Sequence, residues 1–321
     1  MKPIHPRRLV SLFLIAAGAA LAQPFPSQPL RIVVGGPAGS IEDAHARKIG
    51  EKLAVALGQP VVVDNRPGAT GSIAAEAVAR ATPDGHTLLL GNVSSLAINP
   101  SIFTKLVYDP RSFAPVSGLA RAAPLLLVHP QLPVRTVAEL IAYAKARPGR
   151  LSYGSSGVGS VQHLAMEQFG RTHGLHLVHI PYKGASDALN DLMGGRTELQ
   201  VNFATIAQPH VLSGRLRALA VVGGSARKPW LPDVPTAVEL GMAAFDGTGW
   251  IGFVAPAGTP PEAIARLNRE IVAAAQAKEY AEWLAQLGGE LLVGTPAEFG
   301  RLIDNETERW TQVARLAKIR E

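Results

Sequence analysis

The fold is decided by residues 30–58, which read LRIVV, then GGPAGS, then IEDAHARKIGEKLAVALG. The first five residues form an apolar, β-branched run that is typical of a buried strand. A glycine-rich turn follows, and apolar residues then recur at helical spacing until Gly58 ends the pattern. Two more strands are predicted at 61–63 and 87–90, with an Ala-rich helix at 72–81 between them. This β-α-β-α-β order indicates a mostly parallel sheet with helices on both faces.

The same alternation of strands and helices restarts after Pro124. Short apolar runs predict strands at 125–128, 152–153, 177–180, 199–203 and 218–222. Helices are expected to begin at capping boxes, in which a glutamate follows a threonine by three residues, at Thr136, Thr259 and Thr295. The stretch 223–249 is rich in Gly and Pro and is expected to be a loop. Two α/β lobes are therefore predicted, and a cleft between such lobes is a common place for a ligand.

Length and composition agree with two globular lobes and exclude several kinds of site. The chain has 321 residues, of which 47% are hydrophobic and 17% charged, enough for two lobes that each bury a core. It contains no cysteine, which excludes disulfides, thiolate metal sites and a thiol nucleophile. The formal charge is +6, but no cluster of Lys and Arg is interleaved with aromatic residues, so nucleic acid is not expected as a partner.

The first 22 residues have the pattern of a cleaved secretory signal peptide. Lys2, Arg7 and Arg8 precede an apolar run from Leu9 to Leu21, and the small residues Ala20 and Ala22 stand at −3 and −1 from the expected cleavage site. The alternative is an uncleaved anchor, but the run is shorter than the roughly 20 residues that a membrane span needs. Residues 1–22 are therefore predicted to be removed, which leaves a soluble protein outside the cytoplasm with a formal charge of +3.

Two Gly/Ser-rich loops, 35–43 and 153–160, each follow a predicted strand and precede a predicted helix. Their backbone N–H groups and the helix N-termini behind them favour a carboxylate or a phosphate. The spacing fits neither the dinucleotide-binding motif nor the phosphate loop of nucleotide hydrolases, so a nucleotide is not indicated. Each loop could instead be a plain turn, and Asp43 could simply complement the helix dipole. As one loop falls in each lobe, the pair could hold the two ends of one small anion.

An enzymatic interpretation of the second loop is weaker. Ser155 or Ser156 could be a nucleophile with His163 as its base, which would make the protein a serine-dependent hydrolase. The run is not G-x-S-x-G, however, and His163 is too near in sequence to arrive from elsewhere in the fold. The chain also has no carboxylate pair suited to acid–base work, so it is not expected to be an enzyme.

No metal or cofactor is expected either. His173, His176 and His179 are spaced by three, but side chains in a strand alternate faces, which separates His176 from His179. Tyr182 and Asn202 end two predicted strands, where each could line the cleft or cap a helix.

Longer runs carry a family resemblance. In chain order they are LLLG at 88–91, AINP at 97–100, YDP at 108–110, FAPV at 113–116, YGSSG at 153–157, HL at 163–164, HIPYKG at 179–184, GRLRALA at 214–220 and LPDVPT at 231–236. Together they resemble the substrate-binding receptors of tripartite tricarboxylate transporters, also called the Bug family. The likeness extends from about Pro26 to Trp310, nearly the whole chain beyond the signal peptide.

The resemblance implies a two-lobed periplasmic binding protein of the type II class, in which the chain crosses between the lobes twice. Lobe 1 would be 24–123 plus 245–321 and lobe 2 would be 124–244. Such a receptor captures a small organic carboxylate and delivers it to the membrane permease subunits of the transporter. A sensor that presents the closed lobes to a signalling partner is the alternative. The ligand positions that the family implies are Gly39, Ser40, Ile41, Glu42, Asp43, Asn92, Ser94, Ser95, Ser155, Ser156, Ser160 and Asn202.

The chain departs from the family pattern at three places. It has Gly35-Gly36 where the family has a proline and an aromatic residue, and Ile41-Glu42 where more glycine and a threonine are expected. Asn202 replaces the common aspartate. Ile41 and Glu42 are expected to add bulk and negative charge at the mouth of an anion site. Without the aspartate, an amino-acid ligand with its ammonium group is less favoured.

Overall fold

A computed structural model describes residues 25–224, 226–317 and 319. The predicted signal peptide lies outside the described residues. Within them the chain forms strands β1 Leu30–Val34, β2 Val61–Asn65, β3 Thr87–Asn92, β4 Phe113–Ala122, β5 Pro124–Val128, β6 Leu151–Ser155, β7 Leu177–Pro181, β8 Leu199–Phe203, β9 Arg217–Val221, β10 Gly249–Pro256 and β11 Glu290–Leu291. They make a first sheet of order β11-β4-β10-β3-β1-β2 and a second of order β7-β6-β8-β5-β9.

Helices flank both sheets. They are α1 Ile41–Leu57, α2 Ser72–Ala79, α3 Asn99–Ile102, α4 Val137–Lys145, α5 Val161–His173, α6 Ala185–Met193, α7 Ala204–Leu212, α8 Pro261–Gln276, α9 Lys278–Gln286 and α10 Pro296–Ala317. A π-helical turn, Ser94–Ile98, precedes α3. None of the helices in the described part of the chain has the length and apolar character needed to cross a membrane.

Both sheets are mixed, so the prediction of mostly parallel sheets is wrong. The two β-α-β-α-β units behave as expected, since β1 is parallel to β2 and β3, and β6 is parallel to β7 and β8. The other pairs are antiparallel: β10 lies between β3 and β4, β11 pairs with the other edge of β4, and β5 lies between β8 and β9. The reason is the path of the chain. Parallel neighbours need a crossover connection, usually a helix, and β5 and β10 each enter their sheet directly from the other sheet without such a helix.

The chain passes between the sheets at two connections. Ala123 alone separates β4 of the first sheet from β5 of the second. The return from β9 to β10 runs through 222–248, whose described residues hold no helix or strand, apart from an isolated bridge between Val221 and Thr236. The lobe boundaries proposed from the sequence, 123/124 and 244/245, fall within these connections and remain a prediction about folding units.

Strand β1 explains why both faces of the first sheet are covered. Leu30, Ile32 and Val34 pack in one buried cluster with residues of α1 and α8, whereas Val33 packs in another with residues of α2 and α10. All four are fully buried, and burying an aliphatic side chain of this size contributes roughly 1.5–3 kcal/mol. The predicted helix end is also confirmed, since Gly58 caps α1 at φ 67°, a conformation that glycine adopts without steric cost.

The predicted capping boxes have different outcomes. Thr136 and Thr295 each accept the N–H of the glutamate three residues later, at 3.1 and 3.2 Å. The box at Thr259 is wrong, because α8 begins only at Pro261 and the Thr259 hydroxyl donates to the Pro256 carbonyl. A residue that precedes proline is disfavoured in the helical conformation, so Pro260 stays extended with ψ 137° and becomes the cap.

Candidate ligand-binding cleft

A cavity of about 230 Å³ lies between the two sheets. The first sheet contributes the start of α1, the end of β3 with the π-helical turn, and adjoining parts of β4 and β10. The second contributes Ser156, the start of α5 and the junction of β8 with α7. Ligand pockets usually measure about 300–1,000 Å³, so a cavity of this size suits a small solute.

Three helix N-termini border this cavity. The lining includes two residues from the first turn of each helix: Ile41 and Glu42 of α1, Val161 and Gln162 of α5, and Thr205 and Ile206 of α7. An N-terminus carries roughly half a positive charge and presents free amides, both of which favour an anion. The first turn of α7 has no side-chain cap.

The lining holds little side-chain charge of positive sign. Arg121 lines the cavity, but its guanidinium pairs with Glu290 at 3.0 Å. His45 also lines it, and burial lowers the pKa of its imidazole to about 4, so the ring is neutral near pH 7. Its Nδ1 lies 2.6 Å from the Tyr280 hydroxyl. The attraction for an anion therefore comes mainly from backbone dipoles.

In the first Gly/Ser loop, three of the predicted residues hold the turn itself. Ser40 caps α1 and accepts the Asp43 N–H at 3.3 Å. The Asp43 carboxylate accepts the Gly39 N–H at 3.0 Å and Arg47 Nε at 2.9 Å. Both bonds lower the pKa of Asp43, and the bond from Arg47 has the larger effect. Gly39, Ser40 and Asp43 are not among the residues that line the cavity.

Glu42 and Asn92 meet inside the cleft. Asn92 Nδ2 donates to Glu42 Oε1 at 2.6 Å, and Asn92 Oδ1 accepts the Ser95 N–H at 2.9 Å. Burial raises the pKa of the Glu42 carboxyl, while the bond from Asn92 opposes that rise. Ser94 lines the cavity beside them, whereas Ser95 is buried beneath the turn and its carbonyl accepts the Tyr108 hydroxyl.

In the second Gly/Ser loop, too, some of the predicted residues hold the turn and others line the cavity. Ser160 caps α5 by accepting the His163 N–H at 3.3 Å, and its hydroxyl donates to the Gly157 carbonyl at 2.8 Å. Ser156 lines the cavity and donates to Gln162 Oε1 at 3.1 Å. Ser155 is fully buried and lies outside the lining.

Beneath this loop, three aromatic rings form a stack. The His163 and His179 rings are 3.9 Å apart and tilted by 11°, and Tyr153 stacks on His179 at 5.0 Å. Burial lowers the pKa of His163 to about 3 and that of His179 to about 4. Tyr153 and His179 are direct neighbours in the register of β6 and β7, a pairing that histidine spacing alone does not reveal.

The stack also corrects the predicted serine–histidine pairing. His179 Nε2, and not His163, lies 2.7 Å from Ser155 Oγ, while His163 Nδ1 accepts the Gly159 N–H at 3.3 Å. Ser155 is buried away from solutes, and the partner of Ser156 is Gln162. In the part of the chain that the structure describes, no group of three His, Asp or Glu side chains could hold a metal ion.

Tyr182 and Asn202 lie outside the lining. The Tyr182 hydroxyl donates to Asp191 Oδ2 at 2.7 Å. Asn202 is fully buried, donates to the Ala185 carbonyl at 3.3 Å and accepts the Phe203 N–H at 2.8 Å. Both side chains hold the ends of β7 and β8 to neighbouring elements.

Five of the thirteen predicted positions line the cavity: Ile41, Glu42, Asn92, Ser94 and Ser156. Sequence reasoning missed Gln162, the start of α7, and the stretches of β4 and β10 at the base of the cavity. Gln162 could have been found, because it follows the predicted loop by two residues. The junction of β8 with α7 carries no glycine or serine, so no local signal marks it.

The comparisons with known proteins agree on one family. The family model described as the tripartite tricarboxylate transporter family receptor matches residues 45–318. Protein BugT of Bordetella pertussis is 37% identical over 315 residues, which cover 96% of this chain and 95% of that protein. A protein of Pseudomonas sp., from the tcbD-tcbE intergenic region, is 38% identical over 291 residues, 90% of this chain and 86% of that protein.

Solved structures confirm the predicted fold class, a two-lobed periplasmic binding protein fold. An adipate-bound protein of R. palustris superposes with a TM-score of 0.84 at 36% identity, covering 92% of this chain and 99% of that one. The periplasmic binding protein BugD gives 0.81 at 31% identity, with coverage of 92% and 99%. MatC of Rhodopseudomonas palustris with bound malate gives 0.79 at 32% identity, with coverage of 90% and 99%. Sequence, fold and cleft thus lead to one assignment: the chain belongs to the Bug family, the receptors of tripartite tricarboxylate transporters.

Proposed function

We propose that this protein is a periplasmic receptor that binds a small organic carboxylate in the cleft and delivers it to the membrane permease subunits of a tripartite tricarboxylate transporter. The observation that carries this proposal is the convergence of three helix N-termini, those of α1, α5 and α7, on one small cavity between the two sheets. The adipate and malate held by two similar proteins support the same class of ligand.

The chemistry of the cleft suits capture and release rather than reaction. A carboxylate placed at helix N-termini accepts hydrogen bonds from backbone amides without needing a cation. The hydroxyls of Ser94 and Thr205 border the same space and can donate as well. Binding through neutral donors leaves no permanent ion pair to break when the ligand is handed on.

We expect the two lobes to close by bending at the two connections between them. The lobes are those proposed above, 24–123 plus 245–321 and 124–244, and the hinge stretches are 120–123 and 243–249. Ala122 and Gly249 belong to these stretches and also line the base of the cavity. A ligand that bonds to both lobes stabilises the closed arrangement preferentially and so shifts the population toward it.

A thermal-unfolding screen tests this function. The protein from Gln23 onward is unfolded and refolded to remove any bound ligand, then heated with mono-, di- and tricarboxylates and with the corresponding neutral amides. A true ligand at 100 times its Kd stabilises the folded state by about 2.7 kcal/mol, and the amides leave it unchanged. If no carboxylate of any class stabilises the protein, the proposal fails.

A pair of variants tests whether the cleft is the place of binding. Ser156→Phe fills the cavity from its second-sheet side, and we expect it to weaken carboxylate binding at least 100-fold by calorimetry. Ser213→Phe makes the same change at an exposed position beyond α7 and should leave the affinity unaltered. Equal affinities in the two variants would put the ligand somewhere else on the protein.

A further inference from the structure

The cavity has a polar end and an apolar end. Asn92, Ile251 and Ala120 are cross-strand neighbours on β3, β10 and β4. Residues directly opposite in antiparallel pairs share a face of the sheet, so these three side chains form a row across the floor of the cavity. The lining continues beyond this row to Leu284 and Leu287 at the end of α9. A ligand held at the helix N-termini therefore extends over apolar surface.

The Glu42 carboxyl group is held where the two ends meet. Asn92 holds Glu42 Oε1, and the other carboxylate oxygen lies 2.9 Å from the point that a β-carbon on Gly36 would occupy. The Glu42 side chain is thus confined between the turn and Asn92. Among the described residues, no lysine or arginine is within ion-pair distance of Glu42, and Arg121 is already paired with Glu290.

We propose that the ligand is a monocarboxylate with an apolar body, aliphatic or aromatic, and that Glu42 is the residue that excludes a second carboxylate. This inference rests on the proposed function, since it names the class of ligand for the same cleft. A second carboxylate over the row would bring two carboxyl groups together with no cation nearby. Either the two charges repel or one group has to take up a proton, and both are costly in a partly dehydrated cleft. An apolar body would instead lose water against Ile251, Leu284 and Leu287.

Hexanoate and adipate make a matched pair of probes, because they share a six-carbon chain and differ by one carboxylate. We expect the native protein to bind hexanoate at least tenfold more tightly than adipate by calorimetry at pH 7.5. Glu42→Gln keeps an acceptor for Asn92 and removes the ionisable carboxyl group. It should therefore tighten the binding of adipate and reduce the ratio of the two affinities at least tenfold. Glu51→Gln, an exposed position on the same helix, is the control and should leave the ratio unchanged.

A second pair of variants tests the apolar end. Leu287→Asn should weaken the binding of hexanoate at least fivefold and that of adipate by a smaller factor. Leu212→Asn changes an exposed leucine and should alter neither affinity. Tighter binding of adipate than of hexanoate by the native protein, or a ratio that Glu42→Gln does not change, would overturn this inference and leave carboxylate capture intact. Failure of every mono- and dicarboxylate to bind would overturn both.

Discussion

The two Gly/Ser loops that border the cleft share one hydrogen-bond plan and differ in the group that completes it. At α1, Ser40 accepts the Asp43 N–H, and Asp43 in turn accepts the Gly39 N–H at 3.0 Å. At α5, Ser160 accepts the His163 N–H, and His163 Nδ1 in turn accepts the Gly159 N–H at 3.3 Å. The first loop is closed by a carboxylate and the second by a neutral imidazole. A reciprocal cap therefore needs an acceptor at the third helical position, not a charge.

The two acceptors give the loops different responses to acid. Hydrogen bonds, that from Arg47 first, lower the pKa of Asp43 below its ordinary value of 3.8, so its contribution to stability is present above that value and is lost only at lower pH. Burial lowers the pKa of His163 from 6.5 to about 3, so its contribution is present above pH 6.5 and is lost as the pH falls toward 3. The loop beside the second sheet should loosen first on acidification.

The largest expected effect is on the pH dependence of stability. Between pH 7 and 4.5 we expect His163 alone to remove about 2–3 kcal/mol from the free energy of unfolding. In this range His163 binds a proton in the unfolded chain but not in the folded protein. His163→Asn keeps an acceptor near the position of Nδ1 and does not titrate. Urea unfolding at both pH values should show a smaller acid loss for this variant, even though it is less stable than the native protein at pH 7.

His176→Asn is the matched control, because His176 is exposed on the surface of the same lobe. It should leave the acid loss as it is in the native protein. If His163→Asn and the native protein lose the same unfolding free energy on acidification, protonation of the buried His163 imidazole is not what destabilises the protein. The contrast between the two loops would then have no basis.

A smaller effect is expected at the carboxylate cap. Asp43→Asn should cost about 1–2 kcal/mol of unfolding free energy at pH 7, since hydrogen bonds to charged acceptors are worth about 1.5–3 kcal/mol and the amide keeps part of that. Arg47→Ala should cost less than Asp43→Asn, because its ion pair with Asp43 is half exposed and screened by water. Equal costs would show that the ion pair, and not the bond to Gly39, closes this loop.

Much of this comparison can be predicted from the sequence, because it rests on local patterns. The strand, turn and helix at 30–58 lie where the alternation and helical spacing indicate, and both loops are recognisable as Gly/Ser junctions. The start of α7 is different. Phe203 and Ala204 carry no turn chemistry, and their junction reaches the cleft only because β8 pairs with both β6 and β5. Strand direction and the His163–His179 stack depend on long-range pairing in the same way.

Glu42 and Asp43 are adjacent in one motif but have different roles. Successive residues on a helix point about 100° apart, at 3.6 residues per turn. Asp43 thereby turns back to Gly39 and Arg47, whereas Glu42 turns into the cleft toward Asn92. The pKa of Asp43 falls and that of Glu42 rises. Composition treats the two acids alike, and only the helix phase assigns one to the turn and the other to the cavity.

The smallest expected effect has the opposite sign and comes from Glu42. Since burial raises the pKa of Glu42, the folded state disfavours the charged carboxylate, and the stability that the neutral form provides below pH 4.5 is lost as the pH rises through the raised value. Glu42→Gln should therefore raise the free energy of unfolding at pH 7.5 by a few tenths to about 1 kcal/mol, a figure reduced because the side chain is partly exposed. At pH 4 the gain should shrink, because Glu42 is then largely protonated in both states.

Urea unfolding at the two pH values measures the difference. The control is Asp43→Asn, which should lower the free energy of unfolding at pH 7.5. A loss of stability in Glu42→Gln at pH 7.5 would mean that the bond from Asn92 to the charged carboxylate outweighs the cost of burying it.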